Sequence, residues 1–226
     1  MQARSEPVSS RTRVRRHPER GEYEHEAIAA ILDEALFAHL GLVEDGLPVV
    51  IPTMYVRDGD VLYIHGSKAA RWVKLLAHGA DVCLTVTLLD GLVLARSAFR
   101  HSMNYRSVVI FGRPKLVEDH DEQLHACARL LEHVVPGRSC EARVPNQKEL
   151  DATAFFSLSI AESSAKFRAG GPLDAEEDLG VETWAGVVPA ELTFGAPIPD
   201  ALVAPRVEPS AEVTAYRRGG ARERSN

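Results

Sequence analysis

The chain has 226 residues, 45% of them hydrophobic and 26% charged, enough for one globular domain with a sizeable core. A formal net charge of −6 argues against a general nucleic-acid binder, whose footprint is a basic face. No apolar run reaches the roughly 18 residues of a membrane span, and Cys83, Cys127 and Cys140 are scattered, with no CxxC pair, which suggests a reducing, cytoplasmic setting without disulfides.

The first 20 residues are rich in arginine (Arg4, Arg11, Arg13, Arg15, Arg16, Arg20). No apolar stretch follows Arg15-Arg16, so they read as a flexible basic tail, not a secretory or twin-arginine signal. From Glu24 to about Phe37, Ile28, Ile31, Leu32, Ala35 and Leu36 recur at helical spacing, which predicts a helix packed across the end of a barrel. The period then changes. Leu36 to Val43, Leu47 to Val56 and Val61 to His65 are short β-like runs separated by Glu44-Asp45-Gly46 and Arg57-Asp58-Gly59-Asp60, and Asp-Gly is a strong hairpin signal. Pro52 lacks the N–H of a central ladder, so its strand bulges or lies at an edge there.

Tyr63 to Leu76 reads as a strand ending at Gly66, with Ser67 as the N-cap of a helix carrying Lys68 and Arg71 in its first turns. Cations oppose the dipole at a helix start, so either an anion accompanies them or they are solvated surface charges. His65, alone at a strand end, is structural or touches a ligand. Asp81 to Leu89 alternates as a strand, with a turn predicted at Asp90-Gly91. Asp119 to about Val135 is helical, with Asp119 as N-cap and Pro136-Gly137 as stop; His120, His125 and His133 lack metal-site spacing. Asn146 caps a short helix through Leu150, Phe155 to Phe167 returns to β alternation, and Ala169 to Asp178 is a solvated loop. Trp184 to Pro189 opens a last strand, and the chain beyond Pro197 reads as a loose, proline-rich and then basic tail.

The most informative stretch is Leu92 to Gly112, in which two β-favouring runs flank a polar middle of arginines, serines, His101, Asn104 and Tyr105. Its composition fits a solvated loop or a pocket for an anionic ligand. The order Leu94-Ala95-Arg96-Ser97-Ala98-Phe99, His101-Ser102-Met103-Asn104-Tyr105-Arg106-Ser107-Val108-Val109 and Phe111-Gly112, preceded by Thr87-Leu88-Leu89-Asp90-Gly91, resembles the signature of the pyridoxamine 5'-phosphate oxidase-like FMN-binding split barrels, in particular their nitroimidazole-reductase-like subgroup. The resemblance runs from about Arg16 to about Pro199.

That resemblance implies a mainly β fold with flanking helices, an antiparallel split β-barrel acting as a homodimer, with tails at 1–20 and 200–226 around an FMN-binding domain at 21–199. It implies that Ser67, Lys68, Arg71 and Arg106, with Ser107 beside them, serve the FMN phosphate. The isoalloxazine slot would be formed by Thr53, Met54 and Tyr55, the Ser102, Asn104, Tyr105 corner and Trp184, with His65 a further cofactor contact. Val187 to Leu192 contains no arginine or histidine where true pyridoxamine phosphate oxidases hold pyridoxal phosphate, so that activity is not expected. Three functions follow: an FMN-dependent oxidoreductase of a small molecule, with His101 as proton donor; a non-catalytic flavin carrier or redox sensor; or a split barrel binding haem, through His65 or His101, or a deazaflavin. GxSxG, GxGxxG and Walker motifs are absent.

Overall fold

The computed structural model describes residues 6–217. In chain order the elements are β1 (Gly21–Glu22), α1 (His25–Glu34), β2 (Phe37–Glu44), β3 (Leu47–Asp58), β4 (Val61–Ser67), α2 (Arg71–Ala77), β5 (Val82–Leu94), β6 (Ser102–Gly112), β7 (Lys115–Leu116), α3 (His120–Val134), α4 (Arg138–Glu141), α5 (Gln147–Ala152), β8 (Thr153–Ser159), β9 (Ser163–Arg168), β10 (Gly186–Pro189) and α6 (Ala211–Thr214). Every strand pairing is antiparallel, and the order is β1-β9-β6-β5-β2-β3-β4-β8-β7, with β10 added to β5.

The meander that opens the sheet follows from its turns. Asp45 and Gly46 both take positive φ, as a two-residue hairpin with the right twist requires, and they set Glu44 opposite Leu47. β3 then changes partner. Leu47 to Met54 pair with β2, whereas Tyr55 to Asp58 pair with β4, so the strand passes from one sheet to the other between Met54 and Tyr55. Pro52 sits opposite His39 in continuous register, without a bulge, and the other edge of β3 is unpaired there among the described residues. Of the two expectations for Pro52, the edge position is the one observed.

A bulge occurs elsewhere. Asp90-Gly91 is not a turn: β5 continues through it to Leu94, and the register against β6 slips between Leu89 and Gly91. Asp90 is the extra residue, and a bulge re-aims the side chain it carries. The true connection is 95–101, and the stretch from Phe155 to Phe167 forms the two strands β8 and β9. α3 and α5 start where expected, on Asp119 and on an Asn146–Glu149 capping box.

The core has two parts. Ile28, Ile31 and Leu32 of α1 close the barrel over Leu40, Tyr55, Ile64, Leu84, Ile110 and Phe156. On the other side of the smaller sheet, α3 packs Ala126 and Leu130 on Val56, Tyr63 and Phe155. Both clusters meet the alternation of β3 and β4, which is why neighbouring residues such as Tyr55 and Val56 are both buried.

Residues 9–20, expected as a free tail, lie along the sheet. Ser9 and Arg11 hold Glu162, Thr12 is buried, the Val14 amide donates to Tyr23, and Lys166 Nζ donates to the Arg16 carbonyl at 3.0 Å. At the other end, Tyr216 meets Phe194 edge to face at 4.8 Å between ring centroids. Residues 1–5 and 218–226 of the expected tails lie outside the described residues.

Candidate functional site

Beyond Tyr55, β3 and β4 are zipped together; before it they part, because β4 keeps its pairing with β8 through Ser67 while β3 follows β2. The resulting seam has Pro48 to Thr53 on one side and His65 to Arg71 on the other. Thr53 and Met54 are half-buried along it, and the Thr53 hydroxyl donates to the Met54 carbonyl at 3.2 Å. Tyr55 does not line it. Its side chain is fully buried, and its hydroxyl donates to the Leu32 carbonyl at 2.7 Å, so it locks α1 to the barrel.

The cationic lip differs in detail from the sequence expectation. Ser67 is not the N-cap of α2: its hydroxyl accepts from the Ala69 amide at 3.3 Å, and Ala70 occupies the cap, so Lys68 precedes the helix and Arg71 begins it. Both cations are exposed. Arg71 makes one long ion pair, 3.6 Å to Glu44, with its side chain 82% exposed, and Lys68 has no carboxylate partner among the described residues. Gly66 permits this corner to close, since a Cβ there would stand 2.4 Å from the indole of Trp72. His65, beside the lip, stacks on Phe155 at 5.9 Å. Its Nδ1 is buried without a hydrogen-bond partner, and burial lowers its pKa, which keeps the ring neutral.

Strand alternation divides Asn104, Tyr105, Arg106 and Ser107, which the sequence placed in one pocket. Tyr105 and Ser107 stand opposite Leu89 and Thr87 on the outer face of the large sheet, where Phe37, Val50, Leu89, Leu92, Met103 and Val188 are exposed. Arg106 turns the other way. Its guanidinium grips both carboxylate oxygens of Glu34, at the end of α1, and the bulged Asp90 at 2.8 Å. Those hydrogen bonds raise its pKa, and with two carboxylates already bound it is not positioned as a phosphate ligand. Asn104 is also occupied: it accepts from Arg168 and donates to the Gly170 carbonyl. Ser102 pairs with Val93 at the start of β6.

His101 lies exposed in the 95–101 connection, with Nδ1 3.0 Å from the Ser97 carbonyl. Donation from Nδ1 leaves the Nε2 lone pair free and facing outward, the arrangement a metal-ligating or proton-accepting imidazole uses. Trp184 is 64% exposed, and its indole covers Gly186, where a Cβ would come within 2.8 Å. That contact accounts for the tryptophan–glycine spacing at the start of β10. Sequence reading missed the partners of these groups: Glu34 and Asp90 for Arg106, and Asp174, which holds Arg96 at 2.8 Å from inside a loop expected to be solvated. Nothing in their local patterns signals a contact across 16 to 78 positions. Among the described residues no cluster of histidine, cysteine or carboxylate groups could hold a bare metal ion, and no helix is long and apolar enough to cross a membrane.

Comparison with known proteins places this geometry. No curated protein matches the chain. The flavocytochrome Anf3 from Azotobacter vinelandii shares 42% identity over 95% of this chain and 100% of its own, with a TM-score of 0.89. The FAD and haem binding protein from Mycobacterium smegmatis shares 38% over 86% and 95%, with a TM-score of 0.82. A putative 5-nitroimidazole antibiotic resistance protein from Bacteroides thetaiotaomicron, at 20% identity over 65% and 85% with a TM-score of 0.55, shares the fold. The family model for pyridoxamine 5'-phosphate oxidase matches residues 24–167, and the chain belongs to that family.

Proposed function

We propose that the protein is a flavin-binding redox protein that also carries haem and transfers electrons to or from a small molecule. The observation that carries this reading is similarity over nearly the whole chain to a flavocytochrome and to an FAD and haem binding protein. FMN and FAD share the phosphate that Lys68 and Arg71 are free to bind, and the exposed apolar face around Phe37, Leu89, Met103 and Tyr105 fits a flat ring. When bound, the flavin supplies hydride or single-electron transfer and the haem iron single electrons.

The chain's own residues would bind, orient and shield. The seam edge of β3 offers unpaired backbone groups to the polar rim of a ring, and Trp184 covers one margin. An imidazole with a free nitrogen would serve as an axial ligand to haem, and His65, kept neutral by burial, and His101, oriented by the Ser97 carbonyl, are the candidates. The chain has no CxxCH sequence, so the haem would be held without thioether bonds. The exposed apolar stripe on the outer face favours a homodimer that completes the flavin slot.

The visible spectrum of the purified protein, followed by identification of the heat-released cofactors, tests the reading. Flavin bands together with a Soret band are expected, with the Soret band displaced or lost in His65→Ala or His101→Ala. A colourless protein that takes up neither added flavin nor hemin overturns it.

A further inference from the structure

Arg168, the last residue of β9, is 7% exposed and has no carboxylate partner among the described residues. Its Nη1 donates to Asn104 Oδ1 at 2.5 Å and to the Gly170 carbonyl at 3.3 Å, and its Nη2 to the Gly171 carbonyl at 3.0 Å. Nε makes no hydrogen bond with the described residues. The other sheltered arginines of the barrel are neutralised: Arg57 by Asp33, Arg96 by Asp174, and Arg106 by Glu34 and Asp90. A buried cation is ordinarily matched by an anion. Burial, together with repulsion from a second cation, Arg20, pushes the Arg168 pKa below its ordinary value.

Both arginines line a depression of about 510 Å³, walled by Phe167 and Leu173 and by the Gly170–Gly171 loop. Glu19 and Glu22 border it as well, and Glu19 is itself the ion-pair partner of Arg20. Glu19 faces His17 at 3.0 Å and Arg20 at 3.8 Å, and Glu22 accepts from the Tyr23 and Glu24 amides at 2.7 and 2.9 Å.

We propose that this depression binds an organic anion, a carboxylate or phosphate on an apolar body. The head group pairs with Arg20 and with the open Nε–H edge of Arg168, and the body lies on Phe167 and Leu173. The depression shares no lining residue with the Lys68–Arg71 lip, being built from residues 19–22, 167–171 and 173. It does not depend on the flavin reading. The anion has two possible sources of the same chemistry, a free small molecule or the acid group of a bound cofactor.

Calorimetric titration of the full chain with benzoate and with phenyl phosphate tests it, on protein as purified and after cofactor removal. At least one probe is expected to bind, with affinity falling tenfold or more in Arg20→Gln and in Arg168→Gln and unchanged in Arg71→Ala. Binding to both preparations identifies a free ligand; binding to the stripped protein alone identifies a cofactor's acid group. Absence of binding in both preparations, or wild-type affinity in the two arginine variants, overturns the site. Should Arg168→Gln fail to fold, Arg20→Gln decides, since Arg20 makes a single long ion pair, to Glu19. A protein that takes up neither flavin nor hemin yet still binds phenyl phosphate would defeat the flavin reading and leave this one standing.

Discussion

Arg106 and Arg71 carry the same side chain in two regions of one barrel and do opposite work. At the closed end, Arg106 is sheltered, fitted to Glu34 and to Asp90, and ties the end of α1 to the bulge in β5. At the open seam, Arg71 stands in solvent with one long contact to Glu44. A sheltered cation with matched carboxylates is architecture, because removing it strands two negative charges. An exposed cation adds little to stability and is available to a ligand.

The largest expected effect tests the closed end. Arg106→Ala should cost about 3 kcal/mol of unfolding free energy in a denaturant titration, since Glu34 and Asp90 lose their partner together. A loss below about 1 kcal/mol, with weakened flavin binding instead, would return Arg106 to the cofactor site. Tyr55→Phe should cost about 1–2 kcal/mol by leaving the Leu32 carbonyl without its buried donor. Flavin affinity should not change in that variant; a selective loss of binding would place the phenol in the slot after all.

His65 sharpens the seam side. Its folded pKa lies below the unfolded value of about 6.5, so the neutral ring favours the folded state above that pH. The contribution is lost as pH falls below about 6.5 toward the folded pKa. Thermal melts of the cofactor-free protein between these limits should show a pH-dependent component that His65→Gln lacks, and parallel curves for the two proteins would contradict it. The smallest stability effect belongs to Arg71→Ala, within about 0.5 kcal/mol. That variant should nevertheless weaken FMN roughly tenfold while leaving riboflavin untouched; equal losses for both ligands would remove Arg71 from the phosphate.

The comparison also locates what could be read from residues in order. Asp45-Gly46, the Asp119 cap and the Asn146 capping box are local devices: each is complete within a few positions, so the strands and helices they bound were legible. The Asp90-Gly91 pair shows the limit of that logic. As a dipeptide it is a turn signal, yet pairing with β6 on one edge and β10 on the other holds it extended, and the chain absorbs it as a bulge. Ser67 failed as a cap for a related reason, since Lys68 is drawn to the Ala152 carbonyl at 3.0 Å and the helix starts later.

The candidate site was legible as a set of segments but not as a set of side chains. The motif from Leu92 to Gly112 identified the family and the strands concerned. It did not say which of Asn104, Tyr105, Arg106 and Ser107 face together, because a strand turns neighbours to opposite faces.

By itself, then, the sequence determined the family, the mainly β architecture, the hairpins and caps, and the presence of a cationic segment beside a strand end. The tertiary structure alone decided where β3 leaves one sheet for the other, which arginines are neutralised, and that buried Arg168 has no carboxylate partner among the described residues. The physical reason is range. Turns, caps and alternation are settled by neighbours in the chain, whereas the balance of a buried charge depends on groups that only folding brings near.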